Sequence, residues 1–124
     1  MKNEVKYVNS INEFTQQELV DYYYQVVYEV IEDRYEESDY TKTVNLCFLQ
    51  QRLIDILIDI RKTLDSVIFN DNETLMELLN LFTDVKTIIT SITYDIKYND
   101  YETDYLNQIR RLNNKTYIIQ KGGE

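Results

Sequence analysis

Acidic side chains recur at helical spacing between residues 13 and 39, and no other residues of the chain are better placed to do chemistry. This stretch carries nine acids and one base, so its net charge of −8 is nearly all of the chain's −9. Because like charges three or four residues apart weaken a helix, their concentration indicates a basic binding partner. On a helical wheel five of the acids fall within about 80° of one another, about one per turn: Glu18, Asp21, Glu29, Glu32 and Glu36.

Tyrosines accompany the acids, and Tyr is favoured at interfaces because its ring supplies contact area while its hydroxyl stays hydrogen-bonded. Tyr22 and Tyr28 flank the row. In an up-down bundle, the turns after the first and third helices lie at the same end. A second cluster of acids and tyrosines, around the turn after helix 3, would therefore lie beside the end of the acidic row on helix 1. That cluster contains Tyr94, Asp95, Tyr98, Asp100, Tyr101, Glu102, Asp104 and Tyr105. The predicted partner-binding residues are Glu18, Asp21, Tyr22, Tyr28, Glu29, Glu32, Asp33, Glu36, Glu37, Asp39, Tyr40, Tyr98, Asp100, Tyr101, Glu102 and Asp104.

Other reactive side chains give little indication of catalysis, and we predict no catalytic residue, cofactor or metal. The chain has no His, which removes the commonest acid–base group and nitrogen ligand. Cys47 lies beside an apolar stripe and is expected to be buried and inert. Asp55 and Asp59 are expected to pair with Arg52, Arg61 and Lys62 rather than with a metal. A small basic patch lies near the end of the chain, at Arg110, Arg111, Lys115 and Lys121.

Composition limits the function class further. The 124 residues include 22 acids and 13 bases, which argues against direct binding of nucleic acid or anionic lipid. Leu, Ile, Val and Phe are plentiful enough to build the core of a single domain spanning residues 1–124. No apolar run is long enough to span a membrane, and no signal peptide opens the chain. The scarcity of Gly, Pro and Ala indicates an AT-rich gene, so we expect a cytoplasmic protein of a low-GC bacterial host, encoded by a phage or plasmid.

The elements that must position these residues are helices, because no Pro or Gly interrupts residues 1–121. An N-terminal arm, 1–14, precedes helix 1 at 15–37, which begins with a capping box at Thr15–Glu18. Apolar periodicity predicts helix 2 at 43–69 and helix 3 at 73–98, with Asp71 or Asn72 as the cap of helix 3. The core is expected to include Leu53, Leu57, Ile60, Phe82, Ile89 and Ile92.

The last segment has two interpretations. Residues 101–119 keep helical phase and are predicted as a fourth helix. The competing interpretation ends that helix near Leu112, because Asn113–Asn114 disfavours a helix and 116–119 is strand-like. The tail would then pair as a ribbon with residues 5–8. The fold class is predicted as all-α, an elongated up-down bundle of about four helices with helices 2 and 3 as its central antiparallel hairpin.

These features predict a non-enzymatic binding protein, an acidic nucleic-acid mimic that blocks a basic cleft of a nuclease or CRISPR-type effector. Small acidic phage inhibitors are similar in size and charge, although no motif is shared. One alternative is an immunity protein that neutralises a cognate toxin. Another is a structural protein that forms a homodimer through helix 2, where Ile54 and Ile58 widen the apolar face. An acidic helix face that serves only solubility fits the same residues.

Overall fold

Three long helices make up most of the computed structural model, which describes residues 4–8, 14–36, 42–109 and 115–119. This confirms the predicted helical class, although three long helices rather than four are present in the described segments. In chain order the elements are β1 (Glu4–Val8), α1 (Gln16–Glu36), α2 (Lys42–Ser66), α3 (Asn72–Tyr98), a 3₁₀ helix (Tyr105–Gln108) and β2 (Lys115–Ile119).

Hydrogen bonds between side chains of different helices establish an up-down-up arrangement. Near the start of α2, Gln50 Nε2 donates to Ile89 O at 2.9 Å and to Thr93 Oγ1 at 2.7 Å, both near the end of α3. In the first half of α1, the Tyr23 hydroxyl lies 2.8 Å from Thr63 Oγ1, near the end of α2. Each helix therefore runs antiparallel to the next, and the predicted α2–α3 hairpin is confirmed.

Helix α1 is more deeply buried than expected from the prediction that helices 2 and 3 form the core. It contacts α2, α3, the 3₁₀ helix and β2, whereas α2 packs mainly against α1 and α3. Its buried apolar side chains therefore include Val20, Tyr24 and Ile31. We conclude that α1 belongs to the centre of the fold together with the hairpin.

The predicted core residues divide into two groups. Leu53, Ile60 and Ile92 are fully buried. Leu57, Phe82 and Ile89 are only partly buried and pack against the edge of the core, so that part of the prediction is wrong. The apolar arcs of α2 and α3 are wider than the surface that the two helices bury against α1 and against each other.

The turn between α2 and α3 is formed by side chains that bond to the backbone. Gln16 of α1 donates from Nε2 to Ile68 O at 2.8 Å, and its Oε1 accepts from Asn70 N at 2.9 Å. These bonds satisfy backbone groups outside a helix, so α2 ends at Ser66 rather than at the predicted residue 69. Asp71 is the N-cap of α3 and accepts from Glu73 N at 3.0 Å, as the sequence predicted.

The predicted fourth helix at 101–119 is wrong. Helix α3 ends at Tyr98 and is capped by Asn99, which adopts the left-handed conformation with φ of 55°. Beyond it, the carboxylates of Asp100 and Asp104 each accept from a backbone N–H two residues ahead, at 3.1 Å. Such local bonds compete with helical hydrogen bonding, and only a four-residue 3₁₀ helix follows.

The competing interpretation of the tail is confirmed in its main point. Strand β1 pairs with β2 in parallel, with Glu4 opposite Lys115 and Val8 opposite Ile119. The predicted N-terminal arm therefore contains a strand, and residues 115–119 are extended.

Candidate acidic interface

The acidic row of α1 begins in a capping box. Thr15 N donates to Glu18 Oε1 and Glu18 N donates to Thr15 Oγ1, both at 3.1 Å. This reciprocal pair satisfies two N–H groups at the start of the helix, as the sequence predicted. The Glu18 carboxylate therefore has a structural role, and partner binding is not needed to explain it.

The row is interrupted at Asp21, which is only 3% exposed, so its predicted place on the surface is wrong. Its Oδ1 accepts from Gln17 Nε2 at 3.1 Å, and the same amide nitrogen donates to Glu77 Oε2 at 2.8 Å. Gln17 Oε1 in turn accepts from the buried Thr74 hydroxyl at 3.0 Å. Asp21 thus belongs to a polar network between α1 and the start of α3, which compensates for its burial.

The exposed part of the row lies in the second half of α1, at Glu29 and Glu32, and Asp33 is exposed beside it. The buried Gln25 donates from Nε2 to Glu29 Oε1 at 2.9 Å, which holds that carboxylate against the helix. Asp33 forms an ion pair of 3.5 Å with Arg52 of α2. The Tyr28 pKa is raised, chiefly by its hydrogen bond to Glu32 and then by the charge of that carboxylate.

A small groove of about 330 Å³ lies between the middle of α1, at Tyr22, Tyr23 and Val26, and the second half of α2. Tyr22 lines it and packs on Phe14, with the ring centroids 5.3 Å apart. Burial raises the pKa of Tyr22, and its neighbours Tyr23, Glu29 and Asp59 raise it further. Asp59 and Lys62 line this groove from α2, and the charge of Glu29 acts on the Tyr22 hydroxyl from α1.

Asp59 is therefore a site residue that the sequence analysis did not identify. The spacing of Asp59 along α2 suggests only a metal ligand together with Asp55 or, in preference, an ion-pair partner of nearby bases. The antiparallel packing of α1 on α2 brings it to Tyr22 and Tyr23, and this packing could have been anticipated from the up-down topology. We define the α1–α2 acidic surface as Glu29, Glu32, Asp33 and Asp59, all of which are exposed.

The predicted second cluster is divided between surface and core. Tyr98, Asp100, Glu102 and Asp104 are exposed. Tyr101 is half-buried and its hydroxyl lies 2.7 Å from Thr43 Oγ1, which joins this loop to the start of α2. Asp95 and Tyr105, which were placed in the same surface cluster, are instead buried, so that part of the prediction is wrong.

The region after helix 1, where the two predicted clusters would lie side by side, falls outside the described residues. The Glu36 side chain lies outside the described residues, as do Glu37, Asp39 and Tyr40. The described loop after α3 nevertheless lies beside the start of α2, through the contact of Tyr101 with Thr43. This is the end of the bundle at which the topology places the turn between α1 and α2.

The other reactive residues differ from the predictions in their exposure or in their ion-pair partners. Cys47 is exposed, not buried. Arg52 pairs with Asp33 and Arg61 with Asp65, at 4.0 Å, in place of the expected pairs with Asp55 and Asp59. Within the described segments, no group of three potential ligands is arranged to hold a metal ion, and no helix is long and apolar enough to cross a bilayer. Of the predicted basic patch, Arg110, Arg111 and Lys121 lie outside the described residues.

A second groove, of about 820 Å³, runs along the outer side of α3 beside Thr103. Thr83, Thr87 and Thr90 line it, and each hydroxyl donates to the carbonyl four residues earlier at 3.0–3.1 Å. These hydroxyls are therefore engaged with their own helix, which leaves their methyl groups toward solvent. The same groove is also lined by Lys86, Tyr94 and Asp95, and the Asp95 carboxylate accepts a hydrogen bond from the buried Tyr105 hydroxyl.

Comparisons with protein-family models, with curated proteins and with solved structures found no match to this chain.

Proposed function

We propose that this chain is a non-enzymatic binding protein whose α1–α2 acidic surface occupies a basic, nucleic-acid-binding surface of another protein. The observation that carries the proposal is the group of four exposed carboxylates on adjacent faces of α1 and α2, two of which, Glu29 and Asp59, act on the half-buried Tyr22. In its full form, the proposal is an inhibitor from a phage or mobile element that blocks a nuclease or CRISPR-type effector.

Carboxylates on adjacent helical turns can take the place of phosphates. Glu29 and Glu32 are three residues apart, a rise of about 4.5 Å along the helix, against about 3.4 Å per phosphate along one DNA strand. Lys and Arg side chains that hold phosphates are long and flexible enough to accept this difference. Asp33 and Arg52 form an ion pair across this surface, and because both side chains are exposed the pair is weak enough to exchange for a partner's cation.

The tyrosines would add packing to this charge. Tyr28 is partly exposed beside Glu32, so its ring can fill space between the partner's basic side chains. Tyr22 is fixed on Phe14 and Tyr23 and forms part of the groove wall. Charge would therefore govern the association rate and its salt dependence, while ring packing would govern the dissociation rate.

The test is affinity capture from cell extract at low and high salt, followed by a DNA-cleavage assay of each captured nuclease in the presence of the purified protein. The test variant is Glu29→Lys/Glu32→Lys. The control is Asp65→Lys/Glu73→Lys, which makes the same charge change at exposed acids outside the surface. We expect the control to retain the partner and the inhibition, and the test variant to lose both because attraction becomes repulsion.

Two outcomes would contradict the proposal. In one, the test variant inhibits as strongly as the unmodified protein. In the other, the captured partner is itself acidic where it contacts this chain. Tyr28→Ala separates packing from charge, since it should weaken binding while leaving the salt dependence of the association rate nearly unchanged.

A further inference from the structure

The α3 groove is the depression of about 820 Å³ along the outer side of α3. Its lining runs along the helix from Phe82 and Lys86 at one end to Asp95 at the other. Lys86 and Asp95 are nine residues apart, a rise of about 13.5 Å. A depression of this size is large enough to hold a small organic molecule.

The Asp95 carboxylate lines this groove although its residue is only 4% exposed. Tyr105 donates to Oδ2. Among the described residues, none donates to Oδ1 and none forms an ion pair with the carboxylate. A carboxylate can accept about four hydrogen bonds, and burying its charge without a cation is costly. Oδ1 is therefore an acceptor that still requires a donor, preferably a cationic one.

A second acceptor lies one turn before Asp95 on the same side of α3. Ser91 lines the groove, and its Oγ donates to Gln108 Oε1 at 3.2 Å. The hydroxyl proton is thus already used, whereas the oxygen can still accept a hydrogen bond. The Asp95 end of the groove therefore offers negative charge and acceptors, and a ligand that fits it must supply positive charge and donors.

We propose that the α3 groove binds a small organic cation, a primary amine on an apolar body. An ammonium has three donors, so it can bind Asp95 Oδ1 and Ser91 Oγ together. A guanidinium fits less well, because it pairs with both oxygens of a carboxylate and Tyr105 already occupies Oδ2. The ring of Tyr94, also in the groove lining, adds an aromatic face that attracts a cation.

The rest of the groove favours an apolar body with no second positive charge. The hydroxyls of Thr83 and Thr87 donate to carbonyls of their own helix, so their methyl groups remain for packing. At the far end, Lys86 Nζ lies 5.6 Å from the centroid of the Phe82 ring. Its charge repels a second ammonium, which favours a monoamine over a polyamine.

Isothermal titration calorimetry of the full chain with phenylbutylamine tests the site. Phenylbutanol is the matched compound, since it has the same body without the charge. We expect saturable binding of the amine at millimolar concentration or below, and an affinity for the alcohol that is lower by about tenfold or more. No saturable binding of the amine, or equal affinity for the two compounds, overturns the proposal.

Two variants locate the ammonium. Asp95→Asn removes the charge but keeps a side-chain oxygen that can accept from Tyr105, and it should weaken amine binding by about tenfold or more. Its matched control is Asp65→Asn, the same change at an exposed acid outside the groove. A folded Asp95→Asn protein that binds the amine as tightly as the unmodified protein overturns the proposal.

Thr90→Lys keeps the test decisive if Asp95→Asn fails to fold. Thr90 is exposed in the groove lining, and its hydroxyl donates only to Lys86 O of its own helix. The added cation should abolish amine binding by repulsion. Ser66→Lys is the control, because Ser66 is also exposed and donates to the carbonyl four residues earlier. Undiminished amine binding by Thr90→Lys contradicts the proposal.

This proposal does not depend on the proposed function, because the α3 groove shares no residue with the α1–α2 acidic surface. Glu29→Lys/Glu32→Lys should bind phenylbutylamine as the unmodified protein does. Asp95→Asn should still capture a basic partner. Either proposal can therefore fail while the other holds.

Discussion

The Tyr105 hydroxyl donates a hydrogen bond of 2.5 Å to Asp95 Oδ2, and both side chains are buried. Tyr105 begins the 3₁₀ helix and Asp95 lies in the last turns of α3, so this contact joins the segment after the bundle to the bundle itself. Ile109, at the end of the 3₁₀ helix, is buried in the same core. The chain after α3 is thus held by a specific polar contact together with apolar packing.

Tyr105→Phe should lower the free energy of unfolding by about 1–3 kcal/mol, because it removes the hydroxyl that satisfies a buried carboxylate. The measurement is urea denaturation followed by circular dichroism. Tyr98→Phe provides the control, since the Tyr98 side chain is exposed and losing its hydroxyl should have little effect. Equal stability of Tyr105→Phe and the unmodified protein would show that the contact contributes nothing.

Two leucines on α2 test where the core ends. Leu53 is fully buried, whereas Leu57, one turn later, is only partly buried at the edge. Leu53→Ala should cost about 2–5 kcal/mol through lost burial and the cavity left behind, and Leu57→Ala less than half of the Leu53 value. Both are measured as shifts in the denaturation midpoint at constant slope. Similar costs at the two positions would mean that Leu57 is more enclosed than the structure shows.

Periodicity and capping predicted the helices well because both are local. The stripes on α2 and α3 and the caps at Thr15 and Asp71 depend on residues within a turn or two of one another. The end of α2 was less predictable, since it depends on Gln16, which bonds the turn from a different helix. The tail was least predictable, because its parallel pairing joins the two extremes of the chain.

For the acidic site too, local spacing could be predicted from the sequence, whereas contacts with other helices could not. A helical wheel places Asp21 and Glu29 on one face, but it treats the helix as isolated. In the structure Asp21 is buried in the polar network between α1 and the start of α3, whereas Glu29 is exposed. The sequence of α2 alone does not identify Asp59 as a site residue, because its neighbours Tyr22 and Tyr23 belong to α1.

The capping box at the start of α1 predicts that Glu18 contributes to stability through its hydrogen bonds and not through its charge. Thr15→Ala should lower stability by about 0.5–2 kcal/mol, because it removes the acceptor for Glu18 N. Glu18→Gln should leave stability nearly unchanged, since glutamine can accept from Thr15 N in the same motif. Thermal denaturation of the two variants checks this contrast. If both variants lost equal stability, the charge of Glu18 would matter more than its hydrogen bond.

The groove tyrosines predict a loss of stability at alkaline pH. Burial raises the folded-state pKa of Tyr22 and Tyr23 above the usual 10.0, and the charge of Asp59 raises both further. The folded protein therefore holds these protons more tightly than the unfolded chain does. The resulting contribution to stability is fully present below pH about 10 and is lost as the pH rises through the folded-state values.

Urea denaturation across this alkaline range, with tyrosinate absorbance recorded in parallel, measures the effect. Tyr22→Phe should reduce the loss of stability, because one of the two shifted groups is removed. Glu29→Gln should keep the tyrosine but move part of its titration to lower pH, since the Glu29 charge raises the Tyr22 pKa after burial and Tyr23. Burial is the largest cause of the shift, so the titration should move only part of the way toward that of a solvated tyrosine. A titration curve identical to that of the unmodified protein would show that Glu29 does not face the Tyr22 hydroxyl, and the α1–α2 acidic surface would then have to be redrawn without it.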